Sequence, residues 1–582
     1  MLLHVWLGVL LLHVCSASCG HGMLYPRDSE SRQTKLLDGF WQFRADTSPA
    51  RNQGFLEQWW TDRLLESGPV IDIPVPASYN DITEDKSLRD FIGWAWYDRE
   101  FFVSSDWASN KRVVFRIDSA HYNAVVWVNG LEVVRHEGGH LPFEVEVQTV
   151  LKFNGPNYVT VAVNNTLTPE TLPPGAIQYQ TDTTMYPPGY FVQNLFQMDF
   201  FNYAGIHRHV RLYTTPLVYV DDITILTEVD NETVAWVNYT VAVAGGFSSQ
   251  VEVTVEDANH HVVASSNTLT NVLAIPYPTL WWPVGMNSTV GYMYTLKVNV
   301  SGDIYRQPFG IRTVRVTEDQ FLINEKPFYC LGVGKHEDAD FRGRGLDYTL
   351  IAKDFNMLRW LGVNCIRTSH YPYAEEIMDF ADRQGVAVID ESPGVSIINV
   401  NNFGNVSLQH HLDVMSELIR RDKNKPSVIM WSVANEPASD LDISVPYFKT
   451  ILDFTKASDP AHRPTTFVSY KPFETDKVVK FADVICLNHY YGWYTDSGHL
   501  EVIRYQLRRE FAGFRKLYKK PILFTEYGVD TIPGLHMNPS FVFSEEFQVS
   551  YLHEHHKVFD EARQQYLIGE MVWNFADFAT IE

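Results

Sequence analysis

The stretch of this 582-residue chain with the clearest capacity for chemistry is Val-Ile-Met-Trp-Ser-Val-Ala-Asn-Glu-Pro at residues 428–437. Its first six residues are largely apolar and β-prone, which predicts a buried strand, and Pro437 cannot continue a ladder. Glu436 therefore lies where the strand opens into a loop. Burial beside an apolar strand raises the pKa of a carboxyl group, as a general acid requires. A glutamate that caps a helix is an equal alternative from this stretch alone.

From about residue 317 onward, strand-like runs alternate with amphipathic helical patterns. Eight such units over about 265 residues predict a (β/α)8 barrel, and a doubly wound parallel sheet is the alternative. The helical patterns include 348–361, 374–384, 408–421 and 544–564. The predicted strands lie around 328–333, 363–367, 386–390, 428–433, 465–468, 484–487, 521–524 and 569–573.

Polar and acidic residues follow six of the eight predicted strands, at the face where parallel barrels collect catalytic groups. Each could by itself be a cap, a supporting residue or a core aromatic, but their joint occurrence at one face indicates a site. They are Arg367-Thr-Ser-His370 after strand 2, Asp390-Glu391 after strand 3, Asn435-Glu436 after strand 4, Asn488-His-Tyr490 to Tyr494 after strand 6, Thr525-Glu526 after strand 7, and Trp573 to Asp577 after strand 8.

Two of these carboxyl groups, Glu436 and Glu526, could face each other across the barrel. Carboxyl groups about 5–5.5 Å apart leave no room for a water, so one attacks the sugar carbon while the other donates a proton. That is the arrangement of a retaining glycosidase. Tyr490 is placed to donate to Glu526 and keep it charged, and Asn435 is placed to bind a sugar 2-hydroxyl.

The preceding residues predict two β-sandwiches, in line with a chain too long for one core. Residues 23 to about 219 carry short β-branched runs with turn signals such as Asn129-Gly130, which are typical of a jelly roll. Residues 220–316 alternate more cleanly, as in an immunoglobulin-like sandwich. The tryptophans at 59–60 and 94–96 could form a sugar platform, although buried core tryptophans are the commoner explanation.

Charge and targeting signals narrow the class of protein. The net charge of −23 argues against nucleic acid and anionic membrane surfaces as partners. No apolar run reaches about 18 residues, so we expect a soluble protein without a membrane span. Residues 1–22 predict a secretory signal peptide. Six acceptor sequons support a secreted glycoprotein: Asn164, Asn231, Asn238, Asn287, Asn299 and Asn405.

Cysteine usage predicts no disulfide framework. Cys15 and Cys19 flank the predicted signal cleavage region. Cys330, Cys365 and Cys486 each lie in an apolar strand-like run, which favours buried free thiols over a catalytic thiol or a disulfide.

The strand-end motifs resemble glycoside hydrolase family 2, and within it the β-glucuronidases of animal lysosomes. Residues 364–372 (Asn-Cys-Ile-Arg-Thr-Ser-His-Tyr-Pro) and residues 422–436 are similar to two family signatures. Residues 486–494, 525–528 and 573–578 are more similar to the glucuronidase branch than to galactosidases or mannosidases. The likeness runs from about Leu24 to the last residue.

The resemblance implies a retaining exo-β-glucuronidase that removes terminal β-D-glucuronic acid from glycosaminoglycan fragments and glucuronide conjugates, without metal or cofactor. It implies Glu436 as acid/base, Glu526 as nucleophile and Tyr490 as support for the nucleophile. It also implies a homotetramer that reaches the lysosome, or is secreted, through the secretory pathway. The implied substrate contacts are Asp199, His370, Asn435, Asn488, Tyr494 and Trp573.

The likeness departs from the family pattern in several places. The sequence ends at Glu582, whereas the family pattern continues through an Arg and an Asn-x-Lys clamp for the sugar carboxylate, then a last barrel helix. We therefore expect an incomplete version of a longer protein, with a genuine short product as the alternative.

Two rival functions stay open: a family 2 hydrolase that prefers neutral β-glycosides, and an inactive carbohydrate-binding form. Gly334 stands where an Asn is expected, and the short segment between Glu391 and Leu408 leaves room for larger glycan ends.

Overall fold

The computed structural model describes residues 23–195, 197–230, 233–246 and 250–580. The predicted signal peptide at 1–22 and the sequon residue Asn231 lie outside the described residues. In chain order the described residues form two antiparallel β-sandwiches and a closed parallel barrel, which confirms the predicted fold class. Within these ranges every helix is too short or too polar to cross a membrane.

The first sandwich packs a six-stranded sheet against a four-stranded sheet, with one apolar core between them. The Asn-Gly pair at 129–130 forms the turn of a tight hairpin, with φ of 52° and 80°, and Val128 pairs with Leu131 across it. Both residues need positive φ in such a turn, which is why Asn-Gly predicts it. The larger sheet contains Ile71–Val75, Gly39–Ala45, Trp94–Phe101, Asn157–Asn164, Asn123–Val128 and Leu131–Glu137, and the smaller contains Thr34–Leu36, Val210–Thr215, Arg112–Ile117 and Phe143–Glu146.

The tryptophans of this sandwich form a second, covered cluster on the outer side of the six-stranded sheet. Trp96 and Trp127 are 0% and 2% exposed. The ring of Trp60 stacks on Trp127 at a centroid distance of 4.9 Å, and Phe55, from the short helix Gln53–Leu56, packs on Trp96. Because these rings cover one another, the cluster is a packed core and not an open sugar platform.

The second sandwich alternates buried and exposed side chains along its strands. In Val234–Ala244, Val237 and Tyr239 are buried, whereas Trp236 and Asn238 point outward. Period-two burial is what an antiparallel sheet with one solvated face requires. Its strands are Tyr219–Asp230, Val234–Ala244 and Thr270–Pro276 in one sheet, and Val262–Ser266, Val251–Glu256, Tyr294–Val300 and Asp303–Phe309 in the other.

The third body is a barrel of eight parallel strands that closes by pairing its first strand with its eighth. Each predicted strand is confirmed, with bounds that differ by a few residues. In chain order, barrel strands 1 to 8 are Cys330–Gly334, Cys365–Arg367, Ala387–Glu391, Val428–Asn435, Thr465–Ser469, Ile485–Asn488, Ile522–Tyr527 and Leu567–Val572.

Helices pack outside the barrel and begin and end at recognisable signals. The Asp347 side chain accepts hydrogen bonds from the first-turn N–H groups of Thr349 and Leu350, and Gly362 ends the same helix with φ of 77°. Such caps satisfy terminal backbone groups that have no helical partner. The barrel helices are Tyr348–Leu361, Glu375–Gln384, Asn405–Asp422, Ser444–Ser458, Ile503–Tyr518 and Glu545–Arg563.

One prediction about the cysteines is wrong. Cys330 and Cys365 form a disulfide between barrel strands 1 and 2, with their Cα atoms 5.4 Å apart. The apolar pattern of each strand does not show which of its residues lie beside residues of the next strand, and the parallel pairing of strands 1 and 2 brings these two cysteines together. Cys486, on strand 6, is a buried free thiol as predicted.

A loop of the first sandwich reaches the mouth of the barrel. Phe200 forms an antiparallel bridge with Thr580, and the Phe201 N–H donates to the Ala579 carbonyl at 2.8 Å. The Ala579 N–H in turn donates to Asp338, which follows barrel strand 1. The sandwich therefore contributes residues beside the strand ends of a different domain.

Candidate active site

A cavity of about 370 Å³ opens at the C-terminal ends of the barrel strands. All nine predicted catalytic and substrate-binding residues lie in its lining, and they come from five strand ends and the sandwich loop. They are Asp199, His370, Asn435, Glu436, Asn488, Tyr490, Tyr494, Glu526 and Trp573. The structure thus brings them together, while their individual roles stay predictions.

Glu436 follows directly after strand 4 and leaves it by a sharp change of backbone direction. Its φ is +49°, a left-handed conformation that costs a non-glycine residue on the order of 1–3 kcal/mol and is concentrated at functional sites. The Asn488 amide donates to its Oε1 at 2.8 Å. Burial, followed by the negative charge of Glu526, raises the pKa of Glu436 to about 8. At neutral pH this carboxyl group therefore holds its proton.

Glu526 lies on strand 7 and is held by two donors, one on each carboxylate oxygen. The Tyr490 hydroxyl donates to Oε2 at 2.5 Å, and Arg367 donates to Oε1 through Nη2. Burial and the charge of Glu526 raise the pKa of Tyr490 well above its ordinary value, so its hydroxyl remains a donor. Donors to both oxygens stabilise the ionised carboxylate and fix its orientation.

Behind Glu526 lies a buried ion cluster to which sequence reasoning assigned no role. Arg367 is 0% exposed and donates through Nη1 to Glu391 at 2.8 Å. The same Nη1 lies 3.3 Å from the Asn435 amide oxygen. Their positions at the ends of strands 2 and 3 were the available signal, but the ion pair between Arg367 on strand 2 and Glu526 on strand 7 is not visible in sequence.

His370 and Trp573 form one wall of the cavity. Their rings stack with centroids 5.2 Å apart and an interplanar angle of 23°. Gly334, the departure from the expected Asn, lies behind this wall, because a Cβ at that position would come within 2.5 Å of the Trp573 ring. The glycine therefore leaves the space that the tryptophan occupies.

The mouth of the cavity carries aromatic and polar side chains. Tyr494 is 77% exposed, and its ring lies 5.0 Å from that of Tyr490. Asp199 is also exposed, at the tip of the sandwich loop. The lining also includes Gln197, Tyr470 and Thr495, which were not predicted. It further includes His489 and Tyr491, which lie in the stretch predicted at the end of strand 6 but were assigned no role.

The lining contains no Lys or Arg among the described residues, so its charged side chains are acidic apart from its histidines. The part of the chain that the structure describes also holds no cluster of three or more His, Cys, Asp or Glu suited to a metal ion. The two acidic residues that face this cavity from strands 4 and 7 supply one protonated and one paired carboxyl group. That pair can protonate a leaving group and attack carbon, as in a retaining glycosidase.

Proteins of similar sequence agree with this geometry. A β-glucuronidase of Felis catus is 54% identical over 98% of this chain and 89% of that protein. A β-glucuronidase of Homo sapiens is 52% identical over 98% of this chain and 89% of that protein.

Solved structures of β-glucuronidases superpose closely on this chain at lower sequence identity. A β-glucuronidase of an uncultured Clostridium sp. superposes with a TM-score of 0.90 at 43% identity, over 96% of this chain and 94% of that one. A β-glucuronidase of Bifidobacterium dentium, solved with coumarin-3-O-glucuronide, gives a TM-score of 0.88 at 38% identity, over 96% and 94% of the two chains.

Family models match the chain almost throughout. The sugar binding domain of glycosyl hydrolases family 2 matches residues 34–216, the central family 2 domain matches 218–312, and the family 2 TIM barrel domain matches 314–582. With three consecutive matches, relatives of 52–54% identity and a barrel whose strand ends hold the paired carboxyl groups, the chain belongs to glycosyl hydrolases family 2.

Proposed function

We propose that the protein is a retaining exo-β-glucuronidase. The observation that carries the proposal is the pair of unlike carboxyl groups in one cavity: Glu436 with its pKa raised to about 8, and Glu526 with a donor on each oxygen. The sugar specificity is supported by the relatives named above, all of them β-glucuronidases.

The reaction proceeds in two displacements. In the first, a Glu526 oxygen forms a bond to the anomeric carbon as the glycosidic C–O bond breaks, and the Glu436 proton passes to the leaving oxygen. In the second, Glu436 takes a proton from water, whose oxygen bonds to the anomeric carbon as the ester to Glu526 breaks. The sugar leaves with its configuration retained, and both carboxyl groups return to their starting states.

The substrates we infer are terminal β-D-glucuronic acid residues of glycosaminoglycan fragments and glucuronide conjugates. Asp199, Asn435 and Asn488 would bind hydroxyl groups of the sugar, because amide and carboxylate oxygens accept O–H donors and amide nitrogens donate. His370 and Trp573 would pack against the ring. Tyr494, at the exposed rim, would contact the group beyond the scissile bond.

One observation favours a second candidate, a family 2 hydrolase that prefers a neutral β-glycoside. The cavity lining that the structure describes carries no Lys or Arg, and a sugar carboxylate gains most from a charge-assisted pair with such a cation. The two candidates make opposite predictions about a single comparison, the selectivity for a charged over a neutral sugar.

The purified protein should be assayed on a panel of aryl β-glycosides that differ only in the sugar. Hydrolysis of the glucuronide with a kcat/KM well above that of the glucoside and galactoside supports the proposal. Preferential hydrolysis of a neutral glycoside would replace it with the second candidate. Binding of glucuronic acid without turnover of any glycoside would indicate the inactive, carbohydrate-binding form.

We further propose that the protein is a glycoprotein that passes through the secretory pathway to the lysosome. The disulfide supports this route, because disulfides form and persist in oxidising compartments. The sequon residues Asn238, Asn287 and Asn405 are exposed, as glycosylation requires. A shift in mass on endoglycosidase treatment and colocalisation with a lysosomal marker test this route. The homotetramer implied by the family resemblance is tested by light scattering of the purified protein.

A further inference from the structure

Glu391 lies behind the cavity, fully buried, and is not part of its lining. Its Oε1 accepts from Arg367 Nη1 at 2.8 Å and lies 3.2 Å from His370 Nδ1. Its Oε2 accepts from the Ser432 hydroxyl at 2.7 Å. A carboxylate so placed cannot touch the substrate, and any effect on catalysis passes through the residues that it holds.

The most direct of these residues is Arg367, which bridges two carboxylates. Nη1 is directed to Glu391 and Nη2 to Glu526. The guanidinium group is planar and its donors form a rigid fork, so fixing one arm fixes the direction of the other. Glu391 therefore orients the donor that reaches the proposed nucleophile.

The charge balance of this cluster changes during the proposed reaction. When Glu526 forms its ester with the sugar, it loses its negative charge, and Arg367 loses one of two counter-ions. A buried guanidinium without a counter-ion is strongly destabilising. We propose that Glu391 is a positioning residue that keeps Arg367 paired and compensated while Glu526 is esterified. This inference rests on the double displacement described under the proposed function.

The inference has a signature in the pH profile, because Glu391 shares the charge of Arg367 with the two reacting carboxyl groups. Without Glu391 the positive charge of Arg367 is no longer offset by that carboxylate, so it lowers the pKa of Glu526 and of Glu436 more strongly. The acidic and the basic limb of the pH–activity profile, which report these two groups, should then both move to lower pH. Around Glu391 lie Arg367, His370 and the Cys486 thiol. Around Glu526 lie Arg367, His370 and Tyr490. Around Glu436 lie Asp199, Asn488 and Arg367.

The test compares wild type, Glu391→Gln and Glu391→Asp on an aryl β-glucuronide. We expect Glu391→Gln to lower kcat at least about tenfold with little change in KM, and to move both limbs toward acid by about half a pH unit or more. Glu391→Asp retains the charge and should leave both limbs in place. Covalent labelling by a 2-fluoro glucuronyl fluoride, measured by mass spectrometry of the intact protein, should be slower for Glu391→Gln than for wild type, because ester formation is the step that needs the compensating charge.

A matched control is Glu375→Gln, which removes a buried carboxylate from a buried arginine elsewhere. Glu375 accepts from Arg116 at 2.5 Å at the junction of sandwich and barrel. It should lower stability without moving either limb. Equal limb shifts in Glu375→Gln and Glu391→Gln, or a Glu391→Gln enzyme with unchanged limbs and labelling rate, would overturn the inference.

Two outcomes separate this inference from the proposed function. If wild type hydrolyses only a neutral glycoside, the sugar assignment fails, and the same variants are compared on that glycoside. If Glu391→Gln does not fold, Ser432→Ala removes one donor from Glu391 and Glu391→Asp shortens it. Reduced kcat in both, with limbs in place in Glu391→Asp, supports the positioning role, and unchanged kcat in both contradicts it.

Discussion

At the C-terminal ends of its strands the barrel interior carries charged and amide side chains, whereas below them it is filled by apolar ones. The upper layer holds Arg367, Glu391 and Glu526 in mutual contact. The lower layer packs side chains such as Ile429, Leu523 and Met571 into one buried cluster with the disulfide cysteines.

The two layers lie on the same strands and differ in the interactions that stabilise them. The lower layer is stabilised by burial of apolar surface, which is non-directional and tolerates changes of chemistry at constant volume. The upper layer depends on specific pairings, because a buried charge without its partner is costly. Changes in the upper layer should therefore lower catalysis in addition to any cost in stability, whereas changes in the lower layer should lower stability and leave catalysis nearly unchanged.

The largest effect is expected for Glu526→Gln, which leaves the shape of the upper layer nearly unchanged but removes the nucleophile. Turnover should fall by at least about 10⁴-fold, as for loss of a covalent nucleophile in other enzymes. Steady-state kinetics on an aryl glucuronide measures the loss, and thermal denaturation serves as the control. Activity within about tenfold of wild type in a contamination-free preparation would reject Glu526 as the nucleophile.

Glu436→Gln should lower kcat by about 10²- to 10⁴-fold on substrates with poor leaving groups. The loss should be smaller for activated aryl leaving groups, which need no proton. In wild type the acid form is present below the raised pKa of about 8, so activity should fall as pH rises through that value. The variant should lack this limb, and a limb that persists in Glu436→Gln would assign it to another group.

Leu523→Ala tests the lower layer. Leu523 is 2% exposed within the apolar cluster. Its truncation should lower the free energy of unfolding by about 2–5 kcal/mol through lost burial and the cavity left behind. Denaturant unfolding measures this, and kcat/KM at a temperature well below the transition should stay close to wild type. A large fall in kcat/KM without a loss of stability would break the contrast between the layers.

The smallest effect is expected for removal of the disulfide by Cys330→Ala together with Cys365→Ala. The two cysteines are 35 residues apart in sequence, and closing a loop of that size contributes about 2–4 kcal/mol by restricting the unfolded chain. The double variant should unfold at a lower temperature with unchanged pH limbs. A wild-type protein that shows two additional free thiols on titration under denaturing conditions would contradict the disulfide.

Much of the fold and of the site was predictable from the sequence. The eight barrel strands are marked by local apolar runs and the helices between them by amphipathic periodicity. Glu436 and Glu526 follow two of those runs, and the C-terminal ends of parallel strands in a closed barrel meet at one face. Asp199 was identified only through family resemblance, since it belongs to a different domain from the barrel.

By itself the sequence determined which segments become strands and, to within a few residues, where each strand ends, because these depend on interactions within about ten residues. The polar residues at those ends were candidates for the cavity, and the folded barrel decided which of them line it, since Glu436 and Glu526 do and Glu391 does not. The tertiary structure alone decided the pairings. Arg367 and Glu526 are 159 residues apart, and only barrel closure brings them together. The pairing of strands 1 and 2 joins Cys330 to Cys365. The folded barrel buries Glu436 and places it near the charge of Glu526, and both effects raise its pKa. Charge compensation and proton affinity depend on distances in space, which the local pattern does not contain.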